Sequence, residues 1–277
     1  MLSTAISLFP FALPLDQGVK AYKVSRFSAS LVVRDEVIPK TSPLYKTVEK
    51  TLPGYHYKEK HKAFLRRENI RDDLLVVEQK NDQFCAAFGT NYFTQGDAAI
   101  VMYPKFSEVD EEASGFTFKH EACHIKHNDQ FKLPAITAVF SFAAAFFCLS
   151  TKQSGKTSLM ITLSVQSLVY VLGSQYCERR ADNFAIANAS DQELRGGKRH
   201  FLSGQEANKE MRTSTWKKLI FSPAGEFRLD INHPSFQSRI KKIEKELSRR
   251  AVEDTVTAGD PLVIRLKALA NDLHSSF

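Results

Sequence analysis

The sequence predicts an α+β fold, mainly helical, with a small antiparallel sheet and an apolar helical hairpin. Three observations carry this expectation. Short apolar runs punctuated by turn residues lie between Leu74 and Pro104, two long apolar stretches stand at Leu133–Leu149 and Leu159–Gly173, and the chain beyond Tyr176 is polar, charged and helix-patterned. With 277 residues and 43% hydrophobic content, the chain can bury a sizeable core as one generous domain or two small ones.

Residues 1-75 are mixed and basic, with turn punctuation at Pro43, Pro53 and Gly54. They are expected to form an N-terminal segment that packs on, or leads into, the domain that follows. The opening run MLSTAISLFPFALPL is apolar, yet no basic residue precedes it, it holds Pro10 and Pro14, and it is short for a bilayer span. It reads as an interfacial or packed segment. The basic run Lys58–Arg67 lacks the alternating aromatics of a single-strand binding platform and reads as a solvated helix face, so no nucleic-acid partner is expected. The formal charge of +7, from 38 Lys and Arg against 31 Asp and Glu, suits nucleic acid, anionic lipid or acidic substrates, and the charge alone does not choose among them. The four cysteines lie far apart with no CxxC pair, which argues against a zinc knuckle or a dense disulfide framework and for a reducing compartment.

From Leu74 onward, LLVVEQ, FCAAFGTNYF and AAIVMYP are separated by Asn81-Asp82 and Gln95-Gly96-Asp97 and are expected to pair as antiparallel strands. An acidic turn, Glu108 to Glu112, then opens a helix, as the macrodipole favours. The two apolar stretches follow, joined by the polar link STKQSGKTS. The first nearly reaches the roughly 20 apolar residues that a span requires, while the second carries Ser164, Gln166 and Ser167. A membrane-associated hairpin over 132-174 is expected, with a pair of buried core helices as the alternative. Amphipathic stretches at Pro234–Ala251 and Pro261–Leu273 complete the chain, the second within a helical tail over 251-277.

The chemistry-bearing residues begin at His120. On a helix, residues four apart share a face, so His120 and His124 can direct their imidazoles at one metal while Glu121 faces the water beside it. A catalytic zinc takes three protein ligands and keeps one position for water, so one Zn2+ per chain needs a third group. His127 and Gln130 occupy the places where a pattern with a third histidine would have Gly and His. Glu178 in CERRADNFAIA supplies a carboxylate from a later helix, and Asp182, one turn on, can accept the second ring N–H of a ligating histidine.

HEACHIKHND, then ERRADNFA, then NHPSFQSRI resemble in order and spacing the M48 metallopeptidases, the family of bacterial heat-shock membrane proteases and CAAX prenyl proteases. The resemblance covers about residues 83 to 245. It implies a zincin-like (gluzincin) metallopeptidase domain over 76-250, with zinc held by His120, His124 and Glu178 and Glu121 as general base. Ile125, His127 and Asp129 match the continuation of the family's HExxH motif. The late His-Pro…Arg element matches His233, Pro234 and Arg239, implying a hydrogen-bond donor at His233 and an arginine that orients a carboxylate near the site. The hairpin matches two spanning helices that membrane members place between HExxH and the third ligand. The family's Asn-Ala-Phe strand reads Ala86-Ala87-Phe88 here, and the many spans of prenyl proteases are not evident, so general proteolysis is expected ahead of prenyl-protein processing.

The reading that results is a zinc-dependent, membrane-associated endopeptidase acting on protein or peptide substrates. The alternatives are a catalytically silent membrane adaptor and a soluble metalloprotease with a buried hairpin. Because His124 and Glu178 must meet at one ion, any crossings between them are even in number. The link between the two runs carries only Lys152 and Lys156 against a strongly basic remainder, which favours a catalytic domain facing the cytoplasm. Cys123 is expected to face away from the metal, Cys177 to pack, and His56, His61, His200 and His274 to lie at the surface.

Overall fold

The computed structural model describes residues 15, 31–33, 36–38, 55–72, 74–78, 86–88, 91, 99–102 and 111–259. The expectations for the opening apolar run, for the turns at Pro43, Pro53 and Gly54, and for Pro261–Leu273 lie outside these residues. A two-stranded antiparallel ribbon, β1 (Leu31–Val33) and β2 (Glu36–Ile38), pairs Val32 with Val37. Helix α1 (Tyr55–Arg67) follows, and then β3 (Leu75–Glu78), β4 (Ala86–Phe88) and β5 (Ala99–Met102). The rest is helical: α2 (Glu111–His127), α3 (Asp129–Ser150), α4 (Gly155–Asn188), α5 (Asp191–Glu210), α6 (Thr215–Ile220) and α7 (Phe236–Gly259).

The three predicted strand runs each contain a strand, but the sheet is mixed rather than antiparallel. Its order is β3-β5-β4, with Val76 opposite Ile100 in a parallel pair and Ala87 opposite Ile100 in an antiparallel one. Inserting β5 between its predecessors forces this outcome, because a strand antiparallel to β4 then runs with β3. The insertion leaves β4 as an edge strand among the described residues, next to α2 (Glu111–His127).

Helix α2 lies between two cores. On one side Phe118, Ala122 and Ile125 pack with Phe64, Leu65, Leu74 and Ile100. On the other, Phe116 joins Ala185, Leu194, Phe201, Ile240 and Ile243 from α4, α5 and α7. A helix covered on both flanks offers a fixed platform, and polar groups on it are held only where partners meet them. Lys119 is one such group, buried and ion-paired with Glu193, which also closes a capping box with Ser190 at the start of α5. Close approach of α5 to α2 depends on Gly196, where a Cβ would lie 2.4 Å from the Ala113 backbone nitrogen.

The basic run at Lys58–Arg67 is only half solvated. Lys60, Arg66 and Arg67 are exposed, but His61, Phe64 and Leu65 are buried. His61 was expected at the surface; instead its ring stacks on Phe118 with centroids 4.6 Å apart. Burial pulls its pKa down to about 4, and the neighbouring Lys119 pushes in the same direction.

Helices α3 and α4 form the expected hairpin, and its packing is inverted relative to a water-soluble core. Thr137, Ser141, Ala145 and Cys148 of α3 are buried against Ser158 and Thr162 of α4, while Val139, Phe140, Phe146, Phe147, Leu163, Leu168 and Leu172 are exposed. Phe146 alone leaves 66% of its surface uncovered. Small residues inside and large apolar ones outside is the arrangement of helices packed in lipid. The buried hydroxyls of Thr137 and Ser141 donate to carbonyls one turn back, at 2.8 and 2.7 Å. Both helices are long and apolar enough to cross a membrane. At 22 residues, α3 measures about 33 Å, close to the ~30 Å of a hydrocarbon layer. At 34 residues, α4 continues unbroken beyond Gly173 into the domain.

Candidate metal centre

His120 and His124 project from the same face of α2 because they are one turn apart, and Glu178 reaches them from α4. The ligand atoms of the three lie within 4.8 Å of one another. Nε2 of His120 is 3.3 Å from Glu178 Oε2 and 3.2 Å from Nε2 of His124, which is itself 3.5 Å from Glu178 Oε1. Both Nε2 atoms thus point inward, and both Nδ1 atoms are engaged behind them.

Each histidine is backed by a carboxylate that is backed in turn by an arginine. His120 Nδ1 lies 3.1 Å from Asp182 Oδ1, which also accepts from Arg239 Nε and Nη2 at 3.0 and 2.5 Å. His124 Nδ1 lies 2.9 Å from Asp129 Oδ2, while Asp129 Oδ1 is paired with Arg180. A carboxylate behind Nδ1 holds the proton on that nitrogen and leaves the Nε2 lone pair free for a cation. Asp129 and Asp182 are both buried. Arg239 is further fixed by the Phe201 ring, 4.2 Å from its guanidinium carbon.

The electrostatics suit a cation. Burial alone would lower the His120 pKa, but its hydrogen bonds with Asp182 and Glu178 raise it to about 9. Burial would raise Glu178, yet the hydrogen bond with His120 and the charges of His120, His124 and His233 bring it down to about 2. The carboxylates that favour a proton on His120 would equally favour a cation at the same place.

Glu121 is buried and contributes to the wall of a cavity of about 1330 Å³ that also holds the three clustered groups. Ala87 on edge strand β4 lines the same cavity, and its carbonyl accepts from Gln130 at the start of α3. His233 is half exposed. Its Nδ1 meets Asp230 Oδ1 at 2.7 Å, and its Nε2 lies 3.6 Å from Glu178 Oε1. The structure therefore brings His120, Glu121, His124, Glu178, Asp182, His233 and Arg239 to one site. Cys123 is buried and Cys177 lines the cavity. His200, expected at the surface, is partly buried against Phe201 and lines the cavity as well.

Three participants were assigned no role from the sequence: Asp129 behind His124, matched there to the family motif but given no partner, Arg180 behind Asp129, and Asp230 beside His233. Their signals were local. Asn128-Asp129 is a turn dipeptide five residues past the second histidine, and Asp230 stands three residues before His233. Asn128 takes a left-handed conformation with φ of 58°, breaking α2 from α3 and turning Asp129 back to His124. Its side-chain oxygen accepts from the Asn91 backbone at 2.6 Å, which holds the break in place.

Comparison with known families matches the description Peptidase family M48 to residues 65–247, more than half of the chain. The chain belongs to this metallopeptidase family. Comparisons with curated proteins and with solved structures found no match.

Proposed function

We propose that this protein is a zinc-dependent endopeptidase anchored in a membrane by its α3–α4 hairpin. One observation carries the reading: two imidazole Nε2 atoms and the Glu178 carboxylate converge, and each imidazole is oriented from behind by its own buried carboxylate. Two nitrogens and one oxygen form a common donor set for catalytic zinc, and His120, His124 and Glu178 would hold the ion. Zinc bound there supplies a Lewis acid for the scissile carbonyl and lowers the pKa of water.

The chain's own groups do the rest. Glu121 accepts the proton of the attacking water and delivers it to the leaving amine nitrogen as the peptide bond breaks. His233, whose Nδ1 is held by Asp230, donates from Nε2 to the carbonyl oxygen as that oxygen gains charge, a role that requires the imidazolium form with hydrogen on both ring nitrogens. An extended substrate adding to the edge formed by β4 would gain main-chain hydrogen bonds that read little sequence, which suits general proteolysis.

Membrane anchoring is supported by the outward-facing Phe and Leu side chains of the hairpin, which also disfavour a soluble protease with that hairpin in its core. A silent adaptor would have no use for Glu121 in the cavity wall beside the ligand trio. The catalytic domain would face the cytoplasm, with Lys152 and Lys156 on the other side. We further read residues 1-75 as a segment leading into the peptidase domain at 76-250 and 251-277 as a tail. Metal analysis of purified protein with casein cleavage tests the proposal. The parent should carry about one zinc per chain, and Glu121→Gln should keep it while turnover falls by at least about two orders of magnitude. A Glu121→Gln protein as active as the parent would sink the mechanism.

A further inference from the structure

Between α5 and α7 the chain forms a lip that gives the metallopeptidase chemistry only Asp230, beside His233, and leaves its other side chains without a role. It comprises α6, an isolated antiparallel bridge between Phe221 and Phe227, and the run to Ile231. For its size it is unusually apolar on the outside. Leu219 is 72% exposed and Leu229 63%, and Trp216, Phe227 and Ile231 are exposed beside them. Side chains of this kind cost free energy in water, and a continuous group of them marks a surface that is covered in use.

The lip is a built element. Gly225 has a φ of 81°, and a Cβ there would lie 2.2 Å from the Gln205 carbonyl oxygen, so the turn sits hard against α5. Glu226 accepts from Gln205 Nε2 at 3.0 Å and from the backbone of Phe236 and Gln237 at 2.9 and 2.8 Å. Arg212 donates to the Phe221 carbonyl at 3.1 Å. Both carboxylates of the lip are engaged with its own residues or neighbours, Glu226 as described and Asp230 with His233, whereas Lys218 and Arg228 are exposed.

Its position identifies what covers it. Gln175 on α4 donates to the Ile231 carbonyl at 2.7 Å, two residues beyond the end of the apolar run at Gly173. Tyr170 and Ser174 of α4 line the same cavity as Phe227, Arg228 and Asp230 of the lip. On the other side of α4, exposed Leu168, Leu172 and Tyr176 extend the apolar surface of the hairpin to the level of Gln175, the residue that meets the lip. Tryptophan, large aliphatic residues and exposed cations are the composition of a segment seated at a bilayer interface, and anionic headgroups complement exposed Lys218 and Arg228 and partly buried Lys217.

We infer that Trp216 to Ile231 is a second membrane contact, an interfacial lip that rests on an anionic lipid surface and sets the mouth of the catalytic cavity at headgroup level. This rests on the membrane reading of the hairpin.

Trp216 is the chain's single tryptophan, so its emission reports the lip alone. Full-length protein would be reconstituted into vesicles of equal parts phosphatidylcholine and phosphatidylglycerol, the acyl chains brominated near the headgroup. The expected result is blue-shifted emission, loss of emission to the bromines and shielding from aqueous acrylamide. Lys217→Glu with Lys218→Glu should weaken the bromine quenching, as should vesicles of phosphatidylcholine alone. A second variant, Trp216→Phe with Phe146→Trp, reads the hairpin by itself through lipids brominated deep in the chain. Deep quenching of that variant with no bromine quenching of Trp216 overturns the lip and leaves the hairpin standing. If neither is quenched, both readings fail. Trp216 shielded from acrylamide yet untouched by bromines means that protein, a second copy or a substrate, covers the lip, and this too overturns the inference.

Discussion

Asp129 Oδ2 lies 2.9 Å from His124 Nδ1 although the two residues are only five apart, a contact that a continuous helix would not allow. The break at Asn128 makes it possible, and Asp129 mirrors the service that Asp182 gives His120 from a different helix. Asp129→Asn and Asp182→Asn should therefore behave alike, each lowering zinc affinity roughly 10- to 100-fold, while His120→Ala and Glu178→Ala abolish occupancy. Competition with a fluorescent chelator measures all four. Undiminished occupancy in both alanine variants would remove the site assignment.

His61 predicts an acid-labile step. Its folded pKa of about 4 lies below the unfolded value of 6.5, so between these pH values the unfolded chain binds a proton that the folded chain refuses. Stability is complete above pH 6.5 and falls as the pH drops toward 4, by about 3 kcal/mol if the whole shift is expressed. His61→Phe preserves a ring to stack on Phe118 and should flatten this step. Denaturation midpoints of parent and variant, both with chelator present, give the difference; identical acid profiles would show that His61 is not responsible.

A hairpin that spans the membrane as proposed fixes a topology. A reporter inserted at Gly155 should answer from the opposite side of the membrane to one at the C-terminus, and the C-terminal one should report the cytoplasm. Reporters in the same compartment would mean that α3 and α4 do not cross.

What the sequence made legible follows from how local each feature is. The pairing of His120 with His124, and of Glu178 with Asp182, depends only on helical period, and the inward face of each followed from spacing. The hairpin was legible because its long apolar runs differ in composition from everything around them. The parallel pairing of β3 with β5 was not legible, since it depends on β5 entering between two earlier strands, and nothing in either strand encodes its neighbour. His61 was misjudged for a related reason. Which face of α1 is covered depends on Phe118, 57 positions away in a helix whose own pattern is buried all round.

Helix α4 runs without interruption from exposed Met160 and Leu163 to Glu178 and Asp182. A rigid rod cannot adjust one end and leave the other in place: one turn of vertical displacement is about 5.4 Å, more than the separation of the clustered ligand atoms. With the hairpin in a membrane as proposed, bilayer thickness, which helices meet by tilting or shifting, becomes an input to the geometry of the metal centre. Turnover in vesicles of graded acyl length should pass through an optimum where the hydrocarbon layer matches the apolar length of the hairpin, with zinc content falling on either side. A flat profile would mean that the domain rides on the rod without being steered by it.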